Sequence, residues 1–162
     1  MSDISYSTDK NGFSYRAAGI LVHDDRVLLQ MHEGEYAFPG GGVVFGETTA
    51  ETLLREFSEE IGEDIIEVSE LKWVWENFYV WDDKPYHQIC IYHLLKLKDA
   101  TRIPMSAKFI HKEYHADDAN AVWFYWIPLD DLHKISVHPA NAAELLLRID
   151  EGVQHFVYRE NG

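Results

Sequence analysis

A chain of 162 residues that is 46% hydrophobic and 14% aromatic has the apolar content for one sizeable core, which excludes a disordered composition. With 14 basic and 28 acidic residues its formal net charge is −14. That balance excludes a general electrostatic attraction to nucleic acid or anionic membrane, so no DNA partner is expected.

The first dozen residues, MSDISYSTDKNG, contain no hydrophobic segment of a signal peptide and are expected to form a loose arm on a single domain spanning 1–162. No apolar run approaches the roughly 18 residues that cross a membrane, so a cytoplasmic protein is the default expectation. YRAAGILVHDDRVLLQMHE then predicts two strands around the turn His23-Asp24-Asp25. FPGGGVVFGETT follows, a glycine-rich loop that demands unusual backbone angles or a close backbone approach.

The spacing of Ala50, Leu53, Leu54, Phe57 and Ile61 predicts an amphipathic helix from about Thr49 to Ile61, capped by Thr48 or Thr49 and stopped at Gly62. Glu56, Glu59 and Glu60 then share one arc of about 100° beside the apolar face. Like charges so spaced repel by about 0.2–0.5 kcal/mol per pair. Downstream, ELKWVWENFYVW and HQICIYHLLKLK predict strands joined at DDKPY, AVWFYWIPL a buried strand, and HPANAAELLLRI a second helix. Cys90, the only cysteine, lies within the second of these strands and reads as a buried structural thiol.

Three carboxylates on one helix face suit a hard divalent cation, because Mg²⁺ takes oxygen ligands and bridges carboxylates to substrate phosphates. Such a cation would remove the mutual repulsion and neutralise an incoming polyphosphate. Arg55, with Glu51 four residues before it, can hold a neighbouring carboxylate by paired hydrogen bonds. A solvated acidic face is the bland alternative, but it leaves Glu47, Arg55 and the flanking glycines without a reason.

From Gly41 to Glu63, GGVVFGETTAETLLREFSEEIGE resembles the Nudix box, G-x5-E-x7-R-E-U-x-E-E-x-G-U, where U is a bulky aliphatic residue. Gly41, Glu47, Arg55, Glu56, Glu59, Glu60 and Gly62 fill every glycine and polar position, while Phe57 and Glu63 stand at the two aliphatic ones. The resemblance implies an α/β/α sandwich with a mixed sheet between helices. It also implies hydrolysis of a nucleoside diphosphate linked to another group, with water attacking phosphorus and Mg²⁺ or Mn²⁺ assisting. By the same resemblance Glu56, Glu59 and Glu60 ligate metal together with the carbonyl of Gly40. Arg55 orients a box glutamate, and Gly41, Glu47 and Gly62 anchor the loop. The general base is either a box glutamate or a downstream acid, for which Glu113, Asp117 and Asp118 are candidates.

For a small nucleotide-type substrate, the resemblance suggests Phe38 as a base-stacking residue and Asn141, in the segment Pro139–Asn141, as a base contact. The aromatic pair of strands offers further stacking surface. ADP-ribose, nucleoside triphosphates, nucleotide sugars and capped RNA stay open as substrates, capped RNA the least favoured by the charge. A ligand sensor without chemistry is the alternative reading. An isoprenoid diphosphate isomerase ranks below both, because it needs a reactive cysteine and Cys90 reads as buried. A homodimer is left open.

Overall fold

A computed structural model describes residues 2–161; Met1, the start of the expected arm, and Gly162 lie outside the described residues. In chain order the strands are β1 (Ser5–Ser7), β2 (Gly12–His23), β3 (Arg26–His32), β4 (Glu35–Ala37) and β5 (Gly40–Gly42). After helix α1 (Thr49–Glu60) come β6 (Ile66–Trp81), β7 (Lys84–Leu97), β8 (Lys108–Ile110), β9 (Trp123–Pro128) and β10 (Val137–His138). Helix α2 (Ala142–Leu147) and β11 (Gln154–Arg159) complete the fold.

The sheet is mixed. β2 pairs parallel with β7, β7 antiparallel with β6, and β6 parallel with β11, while β3 joins β2 and β9 antiparallel. Neighbouring residues of a strand point to opposite faces, and β2 uses both. Ala18 and Ile20 enter one core with Trp73, Tyr92 and Leu145, whereas Ala17 and Leu21 enter another with Leu53, Phe57 and Trp126. Helix α2 therefore covers one face and α1 the other, which is the expected α/β/α sandwich. No helix among the described residues is long and apolar enough to cross a membrane.

Both predicted hairpins turn on two aspartates. Asp24 (φ 50°) and Asp25 (φ 58°) link β2 to β3, and Asp82 (φ 51°) and Asp83 (φ 57°) link β6 to β7. Two successive left-handed residues make the turn whose twist matches the flanking strands, and aspartate tolerates it better than most residues. The second turn is tighter than the predicted DDKPY, since Lys84 already pairs with Trp81.

Three expectations are corrected and one strand is added. The arm is not loose along its length: Ser5–Ser7 pair antiparallel with Gly12–Ser14, and Asp3 bridges Val44. The buried face of α1 is Thr52, Leu53 and Phe57, with the Thr52 hydroxyl donating to Glu47, and Leu54 is exposed. Gly62 is not a left-handed stop. Its N–H and that of Ile61 both donate to the Phe57 carbonyl, and Asp64 (φ 52°) turns the chain. Finally, QHFVYR forms β11, whose largely exposed residues carry little hydrophobic pattern.

Candidate active site

The glycine loop exists to let β5 lie against β2 and α1 at once. A Cβ on Gly40 would overlap the Ala17 carbonyl, and one on Gly41 would overlap the Glu56 carboxylate. Thr48 then starts α1 with a capping box: its hydroxyl accepts from the Glu51 N–H (3.2 Å), and the Glu51 carboxylate accepts from the Thr48 N–H (2.7 Å). Such a cap stabilises a helix by about 1 kcal/mol. Glu51 is thereby committed to the cap, so it is not the carboxylate that Arg55 holds.

Arg55 instead bridges loop and helix. Its Nε donates to Glu47 Oε1 (2.7 Å), Nη2 to Glu47 Oε2 (3.1 Å) and to the Gly42 carbonyl (3.1 Å), and Nη1 to Glu56 Oε1 (2.8 Å). Glu59 Oε2 lies 3.5 Å from Nη1. The Thr52 hydroxyl donates to Glu47 as well (3.0 Å). The Arg55 guanidinium is the main cause holding the Glu47 carboxyl below its ordinary range.

The three glutamates of the cluster are not equivalent. Glu59 is exposed, while Glu56 and Glu60 are half-buried. Burial pushes the Glu56 carboxyl up against the opposing pull of Arg55. Burial and the neighbouring Glu56 push Glu60 up to about 8. Glu60 Oε2 is shut off from solvent with no hydrogen-bond partner. No three His, Cys, Asp or Glu side chains among the described residues are already drawn together around a metal position. The donor chemistry nevertheless fits a hard cation: oxygen donors at i, i+3 and i+4, one with an orphaned oxygen and two that share the single guanidinium of Arg55.

Two residues outside the predicted set join this cluster. His111 is buried; its Nδ1 accepts from the Glu113 N–H (3.1 Å), which leaves Nε2 as the protonated nitrogen, 3.9 Å from Glu60 Oε1. Arg16, half-buried on β2, makes no side-chain hydrogen bond or ion pair among the described residues, and its charge bears on both Glu60 and Tyr79. An arginine inside the apolar run YRAAGILV was the available sequence signal for it.

The remaining candidates are placed as follows. The loop carrying Glu113, Asp117 and Asp118 is tied to the end of α1 by the Lys112 N–H on the Glu60 carbonyl (3.0 Å) and by Lys112 Nζ on the Ser58 carbonyl. All three acids are exposed, and Asp118 accepts from the His115 N–H (2.7 Å). Phe38 is corrected: at 4% exposure it packs edge-on against Trp73 and Tyr92 in the core, with no open face for a base. Asn141 begins α2 without a side-chain cap and lines a cavity with Trp75 and His138. Cys90 is buried, and burial pushes its thiol up to about 11, which leaves it unreactive.

Fold and site together define an α/β/α sandwich in which a glycine strand feeds an acidic helix. The NUDIX domain model matches residues 14–148 of the chain, which therefore belongs to the Nudix family. An RNA pyrophosphohydrolase of Ruthia magnifica is 31% identical over 135 residues, covering 73% of each chain. Nudix hydrolase 3 of Caenorhabditis elegans is 51% identical over 43 residues, which span 26% of this chain and 18% of that protein. The chain thus covers about a fifth of that relative's length. The structure of the C. elegans Ap4A hydrolase superposes with a TM-score of 0.56 at 21% identity, covering 84% of this chain and 95% of that one, a likeness of fold.

Proposed function

We propose that the chain is a divalent-metal-dependent pyrophosphohydrolase. It would cleave a nucleoside diphosphate linked to another moiety into a nucleoside monophosphate and the phosphorylated moiety, by attack of water on phosphorus. The observation that carries the reading is an under-compensated acid, Glu60 with its orphaned Oε2, on which the charge of Arg16, a cation without a side-chain partner among the described residues, bears. An isolated acidic patch would not need the arginine, and a structural ion pair would have closed it.

In this reading Glu56, Glu59, Glu60 and the Gly40 carbonyl would hold Mg²⁺ or Mn²⁺, which would supply Lewis-acid charge at the phosphoryl oxygens. Arg16 takes the negative charge of the diphosphate that the protein's net charge of −14 otherwise repels. Arg55 holds Glu56 and Glu59 beside one another, and Glu47 fixes Arg55 to the loop. A box glutamate is favoured as general base. Glu59 is exposed beside Glu56, whereas the carboxylates of Glu113, Asp117 and Asp118 make no hydrogen bond or ion pair to the cluster among the described residues.

The Ruthia relative is called an RNA pyrophosphohydrolase, but the charge of this chain favours a substrate of nucleotide size over a long RNA. Retention of every charged box position favours an enzyme over a ligand sensor. The test is a panel of ADP-ribose, nucleotide sugars, dinucleoside polyphosphates and nucleoside triphosphates, with Mg²⁺ or Mn²⁺ and with EDTA. Metal-dependent release of a nucleoside monophosphate from one class supports the proposal. Binding without turnover on the whole panel supports the sensor.

A further inference from the structure

Arg55 serves only two of the three clustered glutamates. Its guanidinium lies 2.8 Å from Glu56 and 3.5 Å from Glu59, and its other donors go to Glu47 and the Gly42 carbonyl. Glu60, enclosed about as well as Glu56, is left out of this fork. The one basic side chain within 4 Å of its carboxylate among the described residues is His111, whose Nε2 lies 3.9 Å from Oε1.

His111 is placed firmly. Its N–H donates to the Val122 carbonyl (2.9 Å), and its own carbonyl accepts from the Tyr114 N–H (3.0 Å). The ring lies near-parallel to Phe124 (14°, centroids 6.1 Å apart) and meets Tyr114 edge-on (80°, 5.1 Å). Because Nδ1 accepts from the Glu113 N–H, the ring proton sits on Nε2, the nitrogen nearest Glu60. The next residue, Lys112, ties the segment to the end of α1 through the carbonyls of Glu60 and Ser58. Donor and carboxylate therefore belong to one joined unit.

At 3.9 Å the two are not hydrogen-bonded. The last torsion of a glutamate is soft, so Oε1 can turn the further ~1 Å onto Nε2 with the backbone still. A neutral N–H suits a carboxylate that is to hold a cation: it supplies direction without a positive charge that would compete with the metal. We propose that His111 is a positioning residue, whose Nε2–H holds one oxygen of Glu60 and so sets the direction in which that carboxylate meets a divalent cation. The inference rests on the pyrophosphohydrolase reading, in which Glu60 is a ligand.

The test is calorimetric titration of the full chain with Mn²⁺ alone, for the wild type, His111→Phe and His111→Gln. Phenylalanine keeps a flat face against Phe124 and removes the N–H. Glutamine gives up the ring but carries an amide N–H at the reach of Nε2. His111→Phe should weaken Mn²⁺ binding by about 10–100-fold, and His111→Gln should restore it to within about threefold of the wild type. Thermal melting should rank the two variants the other way, because ring packing favours phenylalanine; a purely structural role would rank both measurements alike. If His111→Phe fails to fold by circular dichroism, His111→Met takes its place, filling the buried space without an N–H. Mn²⁺ affinity unchanged in the variant without the N–H, or lowered equally in His111→Gln, overturns the role. The same preparations are run on the hydrolysis panel. Metal-dependent turnover by the wild type beside either of those results overturns the positioning role alone. A wild type with neither Mn²⁺ binding nor metal-dependent turnover overturns the reading beneath it.

Discussion

Arg55 and Glu47 are joined by two hydrogen bonds, Nε to Oε1 at 2.7 Å and Nη2 to Oε2 at 3.1 Å. They lie eight residues apart, on the helix and on the loop before it, so this one fork sets where the acidic helix sits relative to the glycine strand. Charge-assisted hydrogen bonds of this type contribute about 1.5–3 kcal/mol each.

Arg55→Ala should therefore lower stability by about 2 kcal/mol, read as a fall in Tm of about 4–8 °C for a chain of this size. Arg55→Lys keeps the charge but loses the planar fork. It should recover much of the stability and little of the turnover. Recovery of both would mean that charge alone, without the paired geometry, holds the loop.

Gly41→Ala places a methyl group where the Glu56 carboxylate lies. The carboxylate must move, since the backbone of β5 is held by its ladder with β2. A shift of about 1 Å in a catalytic group costs roughly a hundredfold in rate, whereas overpacking costs about 1–3 kcal/mol in stability. A drop in kcat of that order in a protein that still melts cooperatively is the expected result.

Glu60→Gln keeps the shape of the side chain and removes its charge. Turnover should fall by more than about a hundredfold with the fold intact. Mg²⁺ should raise the Tm of the wild type, because a ligand that binds only the folded state stabilises it by mass action. The variant's Tm should respond far less. Wild-type turnover in the variant would remove Glu60 from the metal site.

His138 carries a pH prediction. Burial holds its imidazole below the ordinary 6.5, with Glu35 opposing in part. A depressed histidine favours the folded state only while neutral: its contribution is complete above pH 6.5 and is lost as pH falls through the lower folded value. The wild type should accordingly lose more Tm between pH 7.5 and 5 than His138→Phe does. Parallel pH profiles of the two proteins would show that His138 titrates as freely in the fold as outside it.

What was legible in the sequence was local. The carboxylate cluster at i, i+3 and i+4, a helix cap at Thr48 or Thr49, the aspartate turn at 24–25 and the Nudix box are written in spacings of a few residues, and such spacings fix neighbours on a single helix or turn. They identified the family and picked out the acidic cluster proposed to hold the metal. Errors at this range were errors of rotation, as with Leu54, which is exposed where Thr52 takes the buried position.

Everything that depended on strands meeting was settled by tertiary structure. Phe38 reads as a loop aromatic until β6 and β7 bring Trp73 and Tyr92 around it. Arg16 reads as one polar interruption in a strand until β2 lies beside the acidic helix. Asn77, Gln88 and Ser14 are up to 74 residues apart, and only the ladders β2–β7 and β7–β6 align their amides and hydroxyl into one relay. The strand pattern records which residues face inward, with a period of two. It does not record which strand lies alongside, and pairing across a sheet is what brought scattered polar residues together.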